Sequence, residues 1–105
     1  MTALHFGLQE TTIEKICGVL AHHPQVTKVV AYGSRAKGNY KNGSDIDLTL
    51  YGDELTHKIF LAILVELDDL LLPYMIDLSI FSMLNHAKLR EHIERVGLVF
   101  YEQDN

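Results

Sequence analysis

Asp45 and Asp47 stand one residue apart in the segment Ser44-Asp45-Ile46-Asp47-Leu48. On a β-strand, residues i and i+2 share a face, with Cα atoms roughly 6.5–7 Å apart. Two carboxylates so placed can converge on one or two divalent cations, and two-metal sites hold their ions about 3.5–4 Å apart. Oxygen ligands of this kind favour Mg2+ or Mn2+. Upstream, Gly33-Ser34 closes the apolar run Val29-Val30-Ala31-Tyr32. A glycine there lets a phosphate approach the backbone, and a serine offers a hydroxyl and an amide N–H. If Ser34 opens a helical turn through Arg35-Ala36-Lys37, its amides also face an anion. Arg35 and Lys37 add positive charge in an otherwise acidic chain. The turn is not a Walker A loop, because Gly-Lys-Ser/Thr does not occur.

Each feature alone has a plainer explanation. Two aspartates can decorate a solvated strand face, and Gly-Ser can be an ordinary strand-to-loop turn. Aspartate is unfavourable in strands, however, so two of them on one strand need a reason. An EF-hand loop does not supply it, because Ile46 and Leu48 make the segment a strand and the Asp/Asn-Gly ligand pattern is absent.

The elements that must hold these residues read as α-β-β-α-β-α-β. Thr11 and Glu14 have capping-box spacing, followed by an apolar stripe of Ile13, Ile16, Cys17 and Leu20, with Pro24 beyond the end. Val26 to Tyr32 reads as a central strand, apolar on both faces at its end. Gly33 to Ser44 is a loop or short helix with turn residues Gly33, Gly38, Asn39, Asn42 and Gly43. Asp45 to Tyr51 alternates cleanly, with Ile46, Leu48 and Leu50 opposite Asp45, Asp47 and Thr49. Asp53 is the expected cap of a long helix running to about Leu72, ended by Pro73. Met75 to Phe81 repeats the alternation, with Ile76, Leu78 and Ile80 opposite Met75, Asp77 and Ser79. Ser82 is the expected cap of a last helix with stripe Leu89, Ile93 and Val96, stopped at Gly97. Leu98 to Tyr101 is a short final strand at a sheet edge. The fold class is therefore α/β: a two-layer sandwich of a mixed sheet, with helices on the aliphatic face and the aspartate face left open.

Composition excludes several classes. Of 105 residues, 48% are apolar, enough for a packed core in one small domain. With 14 acidic and 9 basic residues the net charge is −5, which argues against nucleic-acid binding through a basic surface. The single cysteine excludes an intramolecular disulfide and fits a reducing compartment. Its place on an apolar stripe reads as core. The start Met1-Thr2-Ala3-Leu4-His5 lacks the features of a signal peptide, and the apolar run Ile59 to Val65 is too short to span a bilayer. The expected setting is cytoplasmic, without membrane contact. His5, His22, His23, His57, His86 and His92 lack metal-ligand spacing and read as surface or capping residues.

Gly33-Ser34, ten residues, then Asp45-x-Asp47 resembles the signature of the DNA polymerase beta-like nucleotidyltransferase superfamily. Within it, Gly33-Ser34-Arg35-Ala36-Lys37-Gly38, Ser44-Asp45-Ile46-Asp47-Leu48 and Ile76-Asp77-Leu78 resemble the minimal nucleotidyltransferase (MNT) family over nearly the whole chain. The resemblance implies a polymerase beta palm-like fold and a single minimal nucleotidyltransferase domain over residues 1–105. It also implies that Asp45, Asp47 and Asp77 bind two Mg2+ ions, with Asp77 helping to activate the attacking hydroxyl. Gly33 and Ser34, with Arg35 and Lys37, would hold the nucleotide phosphates. The implied reaction is transfer of AMP from ATP, with pyrophosphate leaving.

MNT chains lack the domain that larger relatives use to hold an acceptor, and they are often paired as antitoxins with HEPN toxins. The implied acceptor is then a tyrosine of a HEPN partner. On the helix after Asp53, Ile59, Ile63, Leu67 and Leu71 form a stripe, widened by Phe60 and Leu64. Leu61 and Val65 fall on its flank, where they serve either a broad core contact or a surface for a partner or a second copy. Adenylylation of another protein or of a small molecule stays open, as does a non-catalytic module acting by occlusion.

Overall fold

The computed structural model describes residues 6–41 and 43–103. The start Met1–His5 and the turn residue Asn42 lie outside the described residues. The element order is α1 (Glu10–Ala21), β1 (Lys28–Tyr32), α2 (Ser34–Lys37), β2 (Ile46–Tyr51), α3 (His57–Asp68), β3 (Ile76–Ile80), a 3-10 turn (Phe81–Met83), α4 (Ala87–Val96) and β4 (Leu98–Glu102). The strands form one sheet in the order β3-β2-β1-β4. β1 pairs antiparallel with β2 and β4, whereas β2 and β3 run parallel and are joined by the α3 crossover. The sheet is therefore mixed, with β1 inside and β4 at an edge, as the patterning predicts.

Alternation along the strands builds two unequal cores. Val29 and Ala31 of β1, with Ile46, Leu48 and Leu50 of β2, pack against Ile16 and Leu20 of α1 and Ile63 and Leu67 of α3. On the opposite face, Val30 and Tyr32 pack with Phe81 and with Ile93 of α4. This corrects the expectation that every helix lies on the aliphatic face. Because β1 is apolar on both sides, its second face also needs cover, and the Leu89, Ile93 and Val96 stripe of α4 supplies it. Arg90 fastens this helix, donating from Nη1 to the carbonyls of Phe81 (2.7 Å) and Leu84 (3.1 Å).

The helix ends differ from their sequence signals. α1 starts at Glu10 with Gln9 as N-cap, so Thr11 lies inside it. The Gln9 carbonyl receives the amides of Thr12 and Ile13 at 3.0 and 3.2 Å, directly after the fully buried Leu8. Burial of Leu8 anchors this start, where no side chain caps the helix. α3 is capped by Thr56, whose Oγ1 accepts from the Ile59 amide at 3.2 Å, and Asp53 lies in the preceding turn. It ends at Asp68 rather than near Leu72, because Leu71 takes a left-handed φ of 55°. Ser82 falls within the 3-10 turn, and α4 is capped by His86, whose Nδ1 accepts from the Leu89 amide at 3.1 Å. Among the described residues no helix is long and apolar enough to cross a membrane.

Candidate active site

The parallel pairing of β2 with β3 sets Asp47 opposite Asp77. The antiparallel pairing of β1 with β2 sets Tyr32 opposite Asp47. Three polar side chains thus stand in a row across three strands, on the face away from α1 and α3. Asp45 lies one residue before β2 and is exposed, as is Asp77, while Asp47 is half-buried.

The chain leaves β1 through Gly33, whose φ of 75° and ψ of −154° suit glycine and strain other residues. A Cβ here would overlap Oδ2 of the Asp47 carboxylate. Glycine is therefore needed twice, for its dihedrals and for the space that Asp47 occupies. Ser34 follows at the first position of α2, a single turn closed by Gly38 in the left-handed region. Lys37, at the end of that turn, is exposed.

Electrostatics perturb Asp47. Burial pushes its pKa above the ordinary aspartate value, and the charges of Asp77 and Asp45 push it further. His92 of α4 opposes that rise. Beside Asp47, the Tyr32 phenol is raised first by burial and then by Asp77 and Asp47, against a hydrogen bond with Ser79. Ser79 Oγ donates to the fully buried Thr49 Oγ1 at 2.9 Å. Ser79 and Thr49 therefore form a hydrogen-bonded pair across β2 and β3, next to the carboxylates.

The face carries the hard oxygen donors that divalent cations require, and its mutual repulsion is what a cation would relieve. Among the described residues, however, no three His, Cys, Asp or Glu side chains close around a common point fit for a metal ion. Asp47 and Asp77 pair through the sheet, while Asp45, outside the ladder, completes the neighbourhood without enclosing it.

Arg35 does not have the open, phosphate-facing position its spacing suggests. It is 4% exposed, with Nη1 donating to the Phe6 carbonyl at 2.8 Å and Nε and Nη2 donating to the Ser44 carbonyl at 3.1 and 2.9 Å. His92, read from the sequence as a surface or capping residue, is part-buried on α4, and its charge acts on Asp47. Its one signal was adjacency to Ile93 of the apolar stripe, which has meaning only once α4 is placed on the carboxylate face. His86 caps α4, and His22 and His23 contact Glu66 at 3.4 and 2.7 Å. Cys17 is half-buried against the main core, and burial raises its thiol pKa, which fits packing rather than reactivity.

A mixed sheet that carries paired carboxylates beside a Gly-Ser turn defines a nucleotidyltransferase-type α/β protein. The chain belongs to the polymerase beta nucleotidyltransferase family, whose description, "Polymerase beta, Nucleotidyltransferase", it matches over residues 14–105. Its fold is similar to that of a chain in a toxin–antitoxin crystal structure with AMP-PNP. The TM-score there is 0.70 at 19% identity, over 87% of this chain and 73% of that one. A crystal structure of the toxin–antitoxin MntA–HepT gives a TM-score of 0.66 at 18% identity, over 90% of this chain and 74% of that one. A tri-AMPylated Shewanella oneidensis HEPN toxin in complex with an MNT antitoxin gives 0.66 at 17% identity, over 90% and 72%. At these identities the likeness is one of fold. Comparison with curated proteins finds no match.

Proposed function

We propose that this chain transfers AMP from ATP to a hydroxyl acceptor, a tyrosine of a HEPN toxin, and so acts as the antitoxin of a pair. The observation that carries the reading is the in-register placement of Asp47 and Asp77 with Gly33 folded against the Asp47 carboxylate. Similarity of fold to toxin–antitoxin complexes, one with AMP-PNP and one with an AMPylated HEPN toxin, supports it.

In this reading Asp45, Asp47 and Asp77 hold Mg2+, two ions in all. Bound there, the metal would supply charge neutralisation for the triphosphate. Gly33 leaves room for phosphate oxygens at the end of β1, and Ser34 and Lys37 bind the β- and γ-phosphates from α2. The acceptor oxygen attacks the α-phosphorus and gives its proton to a carboxylate oxygen of Asp77. The bond from the α-phosphorus to the bridging oxygen breaks, and pyrophosphate leaves with that oxygen. Such transfer needs positioning and charge neutralisation more than covalent chemistry, so an acidic protein can perform it. The acceptor comes on a separate protein, and the chain needs neither nucleic acid nor a membrane.

Occlusion of the toxin without chemistry is the second reading, and a small-molecule hydroxyl the third. The paired carboxylates of Asp47 and Asp77 favour transfer, because occlusion has no use for them. Incubation with α-labelled ATP, Mg2+ and a purified HEPN-domain partner separates the three. Label on a partner tyrosine, lost with Asp47→Asn or Asp77→Asn, supports the proposal. Tight binding of the partner without label supports occlusion and overturns it.

A further inference from the structure

Arg35 is a buried cation whose hydrogen bonds among the described residues all go to main-chain carbonyls, those of Phe6 and Ser44. Its guanidinium also lies 5.4 Å from the Tyr40 ring centroid and 5.0 Å from that of Tyr74. A charge is removed from water at high cost, so a site that buries one and meets it with fixed carbonyls and π-faces is a built site.

Arg35 and its partners Ser44 and Tyr74 lie on stretches of chain next to the carboxylate face, whereas Phe6 comes from the chain ahead of α1. Arg35 itself follows Gly33-Ser34. Ser44 immediately precedes Asp45, Tyr74 precedes β3 and its Asp77, and Phe6 lies ahead of α1. Ser44 is also the corner of a tight turn: its amide donates to the Lys41 carbonyl at 3.0 Å, and its Oγ accepts from the Lys41 amide at 2.8 Å. The next backbone anchor is Ile46, whose amide donates to the Met75 carbonyl at 2.8 Å. Asp45 thus lies between a carbonyl held by Arg35 and an amide held by the strand leading into β3.

We propose that Arg35 is a positioning residue that holds Asp45 against the Asp47–Asp77 pair by pinning Ser44 to the Gly33-Ser34 turn. Asp45 lies outside the strand ladder, so the sheet alone does not fix it. The two bonds to the Ser44 carbonyl and the flanking rings do. Arg35 therefore acts on the nucleotide through Asp45, and its buried donors do not bind phosphate. The nucleotide part of this inference rests on the proposed function; the structural part does not.

Arg35→Lys keeps the charge but lacks the planar fork that reaches both carbonyls, and Arg35→Met keeps the bulk without the charge. Two measurements apply: NMR exchange of the Ser44 and Ile46 amides, and affinity for AMP-PNP with and without Mg2+ below each variant's melting temperature. We expect exchange at Ser44 and Ile46 to speed at least tenfold in Arg35→Lys while core amides of β1 keep their rates. The enhancement of AMP-PNP affinity by Mg2+ should fall at least tenfold, with Mg2+-free affinity changed less than twofold. Unchanged exchange overturns the proposal. So does retained Mg2+ enhancement in a variant that merely melts lower, which would make Arg35 a scaffold residue only. An equal loss of affinity with and without Mg2+ would mean direct phosphate contact and also overturns it. If the unsubstituted chain binds no AMP-PNP, the nucleotide reading fails in a measurement that does not involve Arg35. The exchange comparison then still decides whether Arg35 holds Ser44 in place. Should Arg35→Met fail to fold, Arg35→Lys carries both measurements.

Discussion

Gly33 and Asp47 share one volume: the Cβ that Gly33 lacks would fall on the carboxylate of Asp47. The contact joins the end of β1 to the start of β2, so the Gly-Ser turn and the first carboxylate of the pair are placed by each other. Gly33→Ala must therefore move Asp47 and also accept dihedrals that cost an L-residue about 1–3 kcal/mol. We expect a loss of stability of that size in urea melts. AMP transfer should fall by about 10²-fold, since small displacements of reacting groups cost that much. Transfer at the parent rate from a folded Gly33→Ala protein would show that the turn does not set the carboxylate's position.

Asp47 and Asp77 face each other across the parallel β2–β3 pairing, and the sign of the consequence follows from Asp47. Its pKa is raised in the folded chain by burial, and then by Asp77 and Asp45. The folded state therefore binds this proton more readily than the unfolded state does. Metal-free stability attributable to the site rises as pH falls from neutrality through the raised Asp47 value. The gain is complete in the ordinary carboxylate range, where the unfolded chain also takes up the proton. Asp77→Asn removes a neighbouring charge. It should raise the metal-free melting temperature at neutral pH, flatten that part of the pH profile and lower transfer by about 10²–10⁴-fold, the usual contribution of a general base. Mg2+ with ATP should raise the melting temperature of the parent more than that of the variant. Melts from pH 4 to 8 with and without Mg2+ and ATP check all of this; a destabilised metal-free Asp77→Asn would contradict it.

Much of this face was legible because a strand's period of two is imposed by the backbone. Ile46, Leu48 and Leu50 had to oppose Asp47, and Ile76, Leu78 and Ile80 had to oppose Asp77, whatever the rest of the chain does. What escaped depended on contacts remote in sequence. The side of the sheet that α4 covers is settled by Val30 and Tyr32 needing apolar neighbours, and helix periodicity says nothing about that. Arg35 looked like a phosphate ligand because its neighbours are glycine and serine. Its burial is made by Phe6, Ser44, Tyr40 and Tyr74, of which Phe6 and Tyr74 are well removed along the chain. The caps moved from Thr11, Asp53 and Ser82 to Gln9, Thr56 and His86 for a similar reason. Several residues could cap locally, and burial of Leu8 and Leu55 on the way into α1 and α3 selects among them.

His92 illustrates a consequence of that misplaced face. With α4 packed over β1, its imidazole opposes the rise in the Asp47 pKa that burial and the two aspartates cause. His92→Gln removes that influence while keeping a polar side chain of similar reach. Asp47 should then titrate at higher pH than in the parent, read from carboxyl carbon shifts by NMR. The fold should be retained, because Leu89, Ile93 and Val96 rather than His92 carry the helix's packing. An unmoved Asp47 titration would remove His92 from the electrostatics of the site.

Glu66 provides the opposite slope at the far side of the molecule. Its carboxylate receives His23 Nε2 at 2.7 Å and His22 Nδ1 at 3.4 Å, tying the end of α1 to α3. The hydrogen bond with His23 holds the Glu66 pKa below the ordinary glutamate value. The folded state thus binds this proton less readily than the unfolded state. The stabilisation is present above the ordinary glutamate range and is lost as pH falls through the lowered folded value. The side chain is 35% exposed, and solvent screening keeps the contribution of such a pair to at most about 1 kcal/mol. Glu66→Gln should therefore cost that or less near pH 6, and the difference from the parent should vanish in strong acid. In the Asp77→Asn background, where the opposing slope from Asp47 is reduced, the acid loss due to Glu66 should stand out more clearly in urea melts. A Glu66→Gln profile parallel to the parent's from pH 2 to 7 would show that the α1–α3 tie adds nothing to folding.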